Sequence, residues 1–158
     1  MDLSGRRAVE LGCGVGLPAV VALARGAAEV LATDHYEAAL DFAAHNARQN
    51  AGRDLATALL DWRAPETGSL GRFEVVLAAD VLYESRNAPA LAELVPELLA
   101  PGGEALFADP RRNVAPRFLA RMESRGFENS TVETTVEGGA GPVKVLIHRL
   151  RCREEETR

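Results

Sequence analysis

Cysteine is nearly absent. Cys13 lies inside a glycine-rich segment and Cys152 in a charged C-terminal stretch, which leaves neither a disulfide framework nor the Cys/His spacing of a metal site. The fold must stand on its core alone. Long apolar runs are missing too: Arg, Asp or Glu interrupts every candidate before the roughly 18 residues a bilayer span requires, so no transmembrane helix is expected. The start, Met1-Asp2-Leu3-Ser4-Gly5-Arg6-Arg7, has no apolar segment or cleavage site of a signal peptide, and a cytoplasmic protein is the default. Positive charge is in deficit. Eighteen Lys and Arg against 23 Asp and Glu give a net charge of −5, the wrong sign for life on phosphate backbones, so neither nucleic acid nor membrane is an expected partner. Repeats, low-complexity tracts and linkers are also lacking, which leaves residues 1–158 to be read as one domain.

What is there is an ordinary globular composition, 47% hydrophobic and 26% charged. Ala8 to Leu11 is a short apolar run followed by glycines and a helical stretch from Leu17 to about Arg25, stopped at Gly26. Glu29 to Thr33 is a second strand ending at Asp34, and Tyr36, Leu40, Ala43 and Ala47 mark the next helix before Gly52. Leu55 to Leu60 is a weaker strand running into Asp61-Trp62. Phe73 to Ala79 is almost wholly apolar, as strands buried on both faces of a parallel sheet are, and it ends at Asp80. A helix from Asn87 to Leu99 stops at Pro101-Gly102-Gly103 before the strand Glu104 to Ala108, and Phe118, Leu119 and Met122 seat a further helix ended by Gly126. Two β-runs, Asn129 to Val136 and Val143 to Leu150, are joined as a hairpin by Gly138 to Pro142, and the polar tail from Arg151 is expected to fray. Strands alternating with helices demand a doubly wound α/β fold: a Rossmann-like, mostly parallel sheet with helices on both faces and a C-terminal antiparallel hairpin.

In such a sheet ligands bind beyond the carboxyl ends of the strands. Four of those ends carry unusual residues. After the first strand comes Glu10-Leu11-Gly12-Cys13-Gly14-Val15-Gly16, where glycines let the backbone turn sharply and approach a ligand. The spacing G-x-G-x-G differs from the G-x-G-x-x-G that aims a helix at a pyrophosphate, which disfavours a nicotinamide oxidoreductase. Asp34 stands 18 residues beyond Gly16, close to the roughly 20 at which a carboxylate accepts ribose hydroxyls; the lesser alternative is a cap on the following helix. Asp61-Trp62 holds the single tryptophan, able to cover an adenine while Asp61 accepts from its amine, or else simply to pack at the rim. Asp80-Val81-Leu82-Tyr83 sets a carboxylate and a phenol at the cleft mouth. His35, His45 and His148 lie on unrelated segments and read as surface or helix-face residues. Arg117, Arg121 and Arg125 line one helix face, a solvated surface or an acidic-partner contact.

The series from Val9 to Pro18, with Asp34, Leu60-Asp61-Trp62 and Asp80-Val81-Leu82-Tyr83, resembles the motifs of the family 16, seven-β-strand protein lysine methyltransferases, and the likeness runs from Ala8 to about Leu150. The resemblance implies S-adenosylmethionine as cofactor, bound by Glu10, Gly12, Gly14, Gly16, Asp34, Asp61, Trp62 and Asp80. It implies Asp80 and Tyr83 as the residues facing the acceptor side chain, and a protein as the substrate. The sequence departs from the family pattern at its start: seven residues precede Ala8, where relatives usually carry a further segment that helps close the clefts. Two other expectations stand beside this one, methylation of a small molecule and a cofactor-binding module without efficient turnover. Methylation of a nucleobase amine is disfavoured because Asp80-Val81-Leu82-Tyr83 lacks the paired prolines of those enzymes, and Asp109-Pro110-Arg111-Arg112 reads as a turn ending the fifth strand.

Overall fold

The computed structural model describes residues 2–138 and 141–153. Its strands are β1 (Arg7–Leu11), β2 (Glu29–Asp34), β3 (Ala56–Leu59), β4 (Phe73–Ala79), β5 (Leu99–Asp109), β6 (Phe127–Gly138) and β7 (Gly141–Cys152). Four helices intervene among the described residues: α1 (Leu17–Ala24), α2 (Glu37–Ala51), α3 (Asn87–Leu98) and α4 (Ala115–Ser124). The strands form one sheet in the order β3-β2-β1-β4-β5-β7-β6. β1 is central, parallel to both β2 and β4, and the order reverses around it, so a switch point lies at its carboxyl end. Only β7 runs antiparallel to its neighbours, with Phe107 opposite His148 and Asp109 opposite Leu146.

The apolar runs bury as the patterns predict. One layer packs α3 and α4 on the sheet through Leu91, Leu94, Leu98, Phe118 and Met122 against Val9, Val76 and Phe107; the other packs α1 and α2 through Ala19, Leu23, Leu40 and Ala43 against Ala8, Val30 and Val75. Pro18 opens α1 in its first turn, where the lost N–H has no intrahelical partner, and Gly52 stops α2 with φ +63°.

Several boundaries depart from the sequence expectation. β5 begins at Leu99, which pairs with Phe73 before the register jumps to Val75 opposite Glu104, so Pro101-Gly102-Gly103 forms a bulge inside the strand. β3 is only four residues long because it is the exposed sheet edge. Arg151 and Cys152, expected to fray, belong to β7: Arg151 pairs with Glu104 and Glu128, and Cys152 with Phe127. The hairpin expected across Gly138 to Pro142 is formed by β6 and β7, while Gly139 and Ala140, like the rest of the tail after Arg153, lie outside the described residues.

Candidate active site

The loop after β1 turns on glycines for two different reasons. Gly12 has φ +66°, and a Cβ there would stand 2.8 Å from the Trp62 ring, closer than side chains approach. Gly14 has φ +52° and nothing within 4 Å of the place a Cβ would take, so its bare backbone borders open space. The loop is pinned from behind by Cys13 N–H on the Thr33 carbonyl at 2.9 Å and closed by Gly16 N–H on the Cys13 carbonyl at 2.7 Å. Burial pushes the Cys13 thiol up to about 12, which leaves it inert as a nucleophile.

Asp34 ends β2 against this loop. Its Oδ2 accepts the Gly14 N–H at 3.0 Å and its Oδ1 the Tyr36 N–H at 3.1 Å, so one carboxylate fixes both the glycine loop and the approach to α2. Two N–H bonds leave about half of the lone-pair sites of a carboxylate for a ligand. Asp61, beyond β3, is half-buried and carries a fork from Arg63, Nε on Oδ1 at 2.9 Å and Nη2 on Oδ2 at 2.8 Å. That fork holds the Asp61 carboxyl down at about 2. Trp62 lies on Gly12, and its indole N–H is buried with no acceptor.

Beyond β4 the chain turns at Asp80 with φ +53°, held by its N–H on the Ala108 carbonyl at 2.8 Å. Buried Asn87 donates its amide to the Val81 carbonyl at 2.8 Å, fixing the loop that presents Tyr83, whose ring is half exposed at the mouth. Glu84 is paired with Arg86. A cleft of about 350 Å³ is lined by Gly12, Gly14, Asp34, Trp62, Asp80 and Tyr83, with Asp61 on its rim.

Seven expected residues therefore converge. Two others do not. Gly16 abuts α2, where a Cβ would meet that of Ala43 at 2.6 Å, and does not line the cleft. Glu10 is 1% exposed and turned to the start of α1, where its Oε2 accepts the Ala19 N–H at 2.9 Å. Burial, with the Asp34 charge adding to it, pushes the Glu10 carboxyl up to about 8 despite that bond.

One residue was missed. The turn at Asp109 to Arg112 forms as expected, with Arg112 N–H on Asp109 Oδ2 at 2.8 Å, but it also swings the Arg112 guanidinium onto Asp80, Nε on Oδ1 and Nη2 on Oδ2 at 2.8 Å each. The available signal was position: Arg112 follows the carboxyl end of a parallel strand, where ligand-facing residues gather.

Residues 1–125 match the model of a family described as lysine methyltransferase. The chain belongs to that family. It is 36% identical over 132 residues to protein N-lysine methyltransferase METTL21A of Danio rerio, covering 79% of this chain and 59% of the relative. It is 36% identical over 137 residues to ribosomal protein L11 methyltransferase of a Synechococcus strain, covering 82% of this chain and 43% of the relative. The chain thus spans about half the length of these curated relatives. Among solved structures, N-methyltransferase NodS of Bradyrhizobium japonicum in complex with S-adenosyl-l-homocysteine shares the fold at TM-score 0.74 and 18% identity, over 96% of this chain and 80% of that one.

The residues of this family member fit S-adenosylmethionine. Gly14 leaves open space over bare backbone, Trp62 holds an orphaned donor, and Asp34 keeps spare acceptors. The nearby arginines Arg63 and Arg86 are already paired with Asp61 and Glu84, so acceptors dominate the cleft, as a cofactor with a positive sulfonium and no phosphate requires.

Proposed function

We propose that this chain transfers the methyl group of S-adenosylmethionine to a lysine amine of a protein substrate. The observation that carries the reading is that a carboxylate and a phenol, Asp80 and Tyr83, line the same cleft as the glycine loop and Asp34. When bound, S-adenosylmethionine would supply an activated methyl group, with the carbon–sulfur electron pair retained by the neutral thioether that leaves. The protein's share is alignment and exclusion of water. Asp34 would accept the ribose hydroxyls, Trp62 would cover the adenine, Asp61 would accept from its amine, and Gly12 and Gly14 would let the backbone approach. Asp80 and Tyr83 hold the acceptor amine by hydrogen bonds and steer its lone pair, and its proton leaves to water before transfer. The half-exposed Tyr83 at an open mouth suits a side chain presented by a macromolecule.

Two measurements test this. Calorimetry should give micromolar binding of S-adenosylmethionine and S-adenosylhomocysteine and none of NAD. Incubation of the chain with labelled cofactor and a lysine-rich polypeptide should place label on Nζ by mass spectrometry; label confined to hydroxyls or to small molecules would refute the lysine acceptor.

A further inference from the structure

Asp80 enters the cleft as half of a pair. The two non-glycine residues with positive φ among the described residues are Asp80, at +53°, and Arg111, at +65°, and they sit on the two loops that the Asp80–Arg112 fork joins. A left-handed residue is strained and persists where its surroundings over-determine it, commonly at functional sites. Here the surroundings are the Asp80 N–H on Ala108, the Arg112 N–H on buried Asp109, and the fork itself. Behind Asp109 stands His148, its Nδ1 2.8 Å from Thr131 Oγ1. Among the described residues, Asp109 Oδ1 and His148 Nε2 are both buried without a partner, so polar groups stand behind the Arg112 loop.

The geometry points to Arg112 as a positioning residue of methyl transfer, which keeps Asp80 aimed at the acceptor amine while cancelling its charge, so that the amine is held as the free base. The inference rests on the lysine reading. A lone carboxylate beside an amine favours the ammonium form, whose lone pair is tied up by a proton. A guanidinium is charged at every working pH, so the fork makes Asp80 close to neutral in sum while leaving it lone pairs to accept from the amine. Other charges nearby are matched: Glu84 by Arg86, and Arg111 by Glu133, which Lys144 also engages. Asp109 and His148 lie behind the fork, Tyr83 lines the cleft on the loop of Asp80, and Asp34, His35, Asp61 and Arg63 line its cofactor side.

The test needs no acceptor. Sinefungin carries a primary amine where S-adenosylmethionine carries its methylsulfonium, and S-adenosylhomocysteine lacks both. Calorimetry on the full chain at low salt compares the two ligands in the parent, Arg112→Gln, Arg112→Lys and Asp80→Asn. Arg112→Gln should tighten sinefungin relative to S-adenosylhomocysteine by about tenfold, because an uncompensated, half-exposed carboxylate attracts the ammonium. Arg112→Lys, which keeps the charge, should restore the parental ratio. Asp80→Asn, which leaves the guanidinium unmatched, should weaken sinefungin alone. A ratio unchanged in Arg112→Gln or in Asp80→Asn, or equal loss of both ligands in Arg112→Gln, would overturn the inference. Absence of Nζ-methyl product in the acceptor assay overturns the lysine reading instead, so the two failures are separable.

Discussion

Glu10 on β1 and Glu104 on β5 are both buried glutamates of one sheet, 1% and 3% exposed, Glu104 lying two residues nearer the amino ends of the parallel strands, yet they are in opposite electrostatic states. Glu104, at the amino end of the β5 ladder, accepts from Arg6 at 2.9 Å, from Arg151 at 3.0 Å and from Arg149. Burial alone would raise its carboxyl, but those arginines outweigh burial and hold it at about 2. Glu10, toward the carboxyl end, has one backbone N–H and, among the described residues, no cation, and burial takes it to about 8. The contrast extends beyond the two side chains. The orphaned atoms Trp62 Nε1, Asp109 Oδ1 and His148 Nε2 and the strained Asp80 and Arg111 all belong to the carboxyl end or its loops. The amino end is a closed ionic staple that ties β5 and β7 to the segment before β1. The other end keeps donors, acceptors and strain for a ligand.

The largest effect expected from breaking this contrast is at the staple. Glu104→Ala strands three arginines around a site shaped for a carboxylate and should lower stability by about 3 kcal/mol in urea denaturation, with the cofactor affinity of the folded fraction unchanged. At the carboxyl end the reverse split is expected. Asp34→Ala removes a charged acceptor and frees Gly14, and should weaken S-adenosylhomocysteine by about 100-fold in calorimetry, whereas Asp80→Ala spares binding and abolishes transfer. Equal binding by both variants would mean the cofactor assignment is wrong.

Within the glycine loop the two ends of the contrast meet. Gly16→Ala, forced against Ala43 with φ +78°, should cost about 2 kcal/mol of stability. Gly14→Ala meets no atom and should cost about 1 kcal/mol for its φ of +52°, yet lose more cofactor affinity than Gly16→Ala, because its methyl enters the cleft.

The contrast also shows in pH dependence. Glu10 has a folded pKa of about 8 against an ordinary 4.5, so its contribution is complete below about 4.5 and lost as pH rises through 8. Glu104, held at about 2, contributes above about 4.5 and loses that contribution as pH falls through 2. Glu10→Gln should therefore remove most of the stability decline between pH 5 and 8, as read by urea denaturation at each pH, while leaving the acid limb intact. A parent whose stability rises over that window would contradict the burial of Glu10.

The alternation of buried strands and amphipathic helices was legible because each depends on spacing along the chain. Phe73 to Ala79 kept its expected bounds, being apolar on both faces. Arg151 and Cys152 looked like a polar tail because their partners, Glu104 and Phe127, are distant in sequence. For the site, the glycine loop, Asp34, Asp61-Trp62 and Asp80 with Tyr83 were readable because each stands at a strand's carboxyl end, and the topology gathers those ends at one rim. Glu10 was readable as an acid beside the loop but not as one turned inward to Ala19, since alternation along a strand does not say what covers the face.

By itself the sequence determined the doubly wound fold, the residues that gather at one rim and the family, because periodicity, glycine spacing and strand-end acids are local quantities. Only the tertiary structure decided which acids stand alone and which are matched. Asp80 with Arg112, and Glu104 with Arg6, Arg149 and Arg151, are pairs across strands and loops far apart in the chain. The charge state of a carboxyl follows from burial and from the cations that reach it, and both are properties of three-dimensional neighbours.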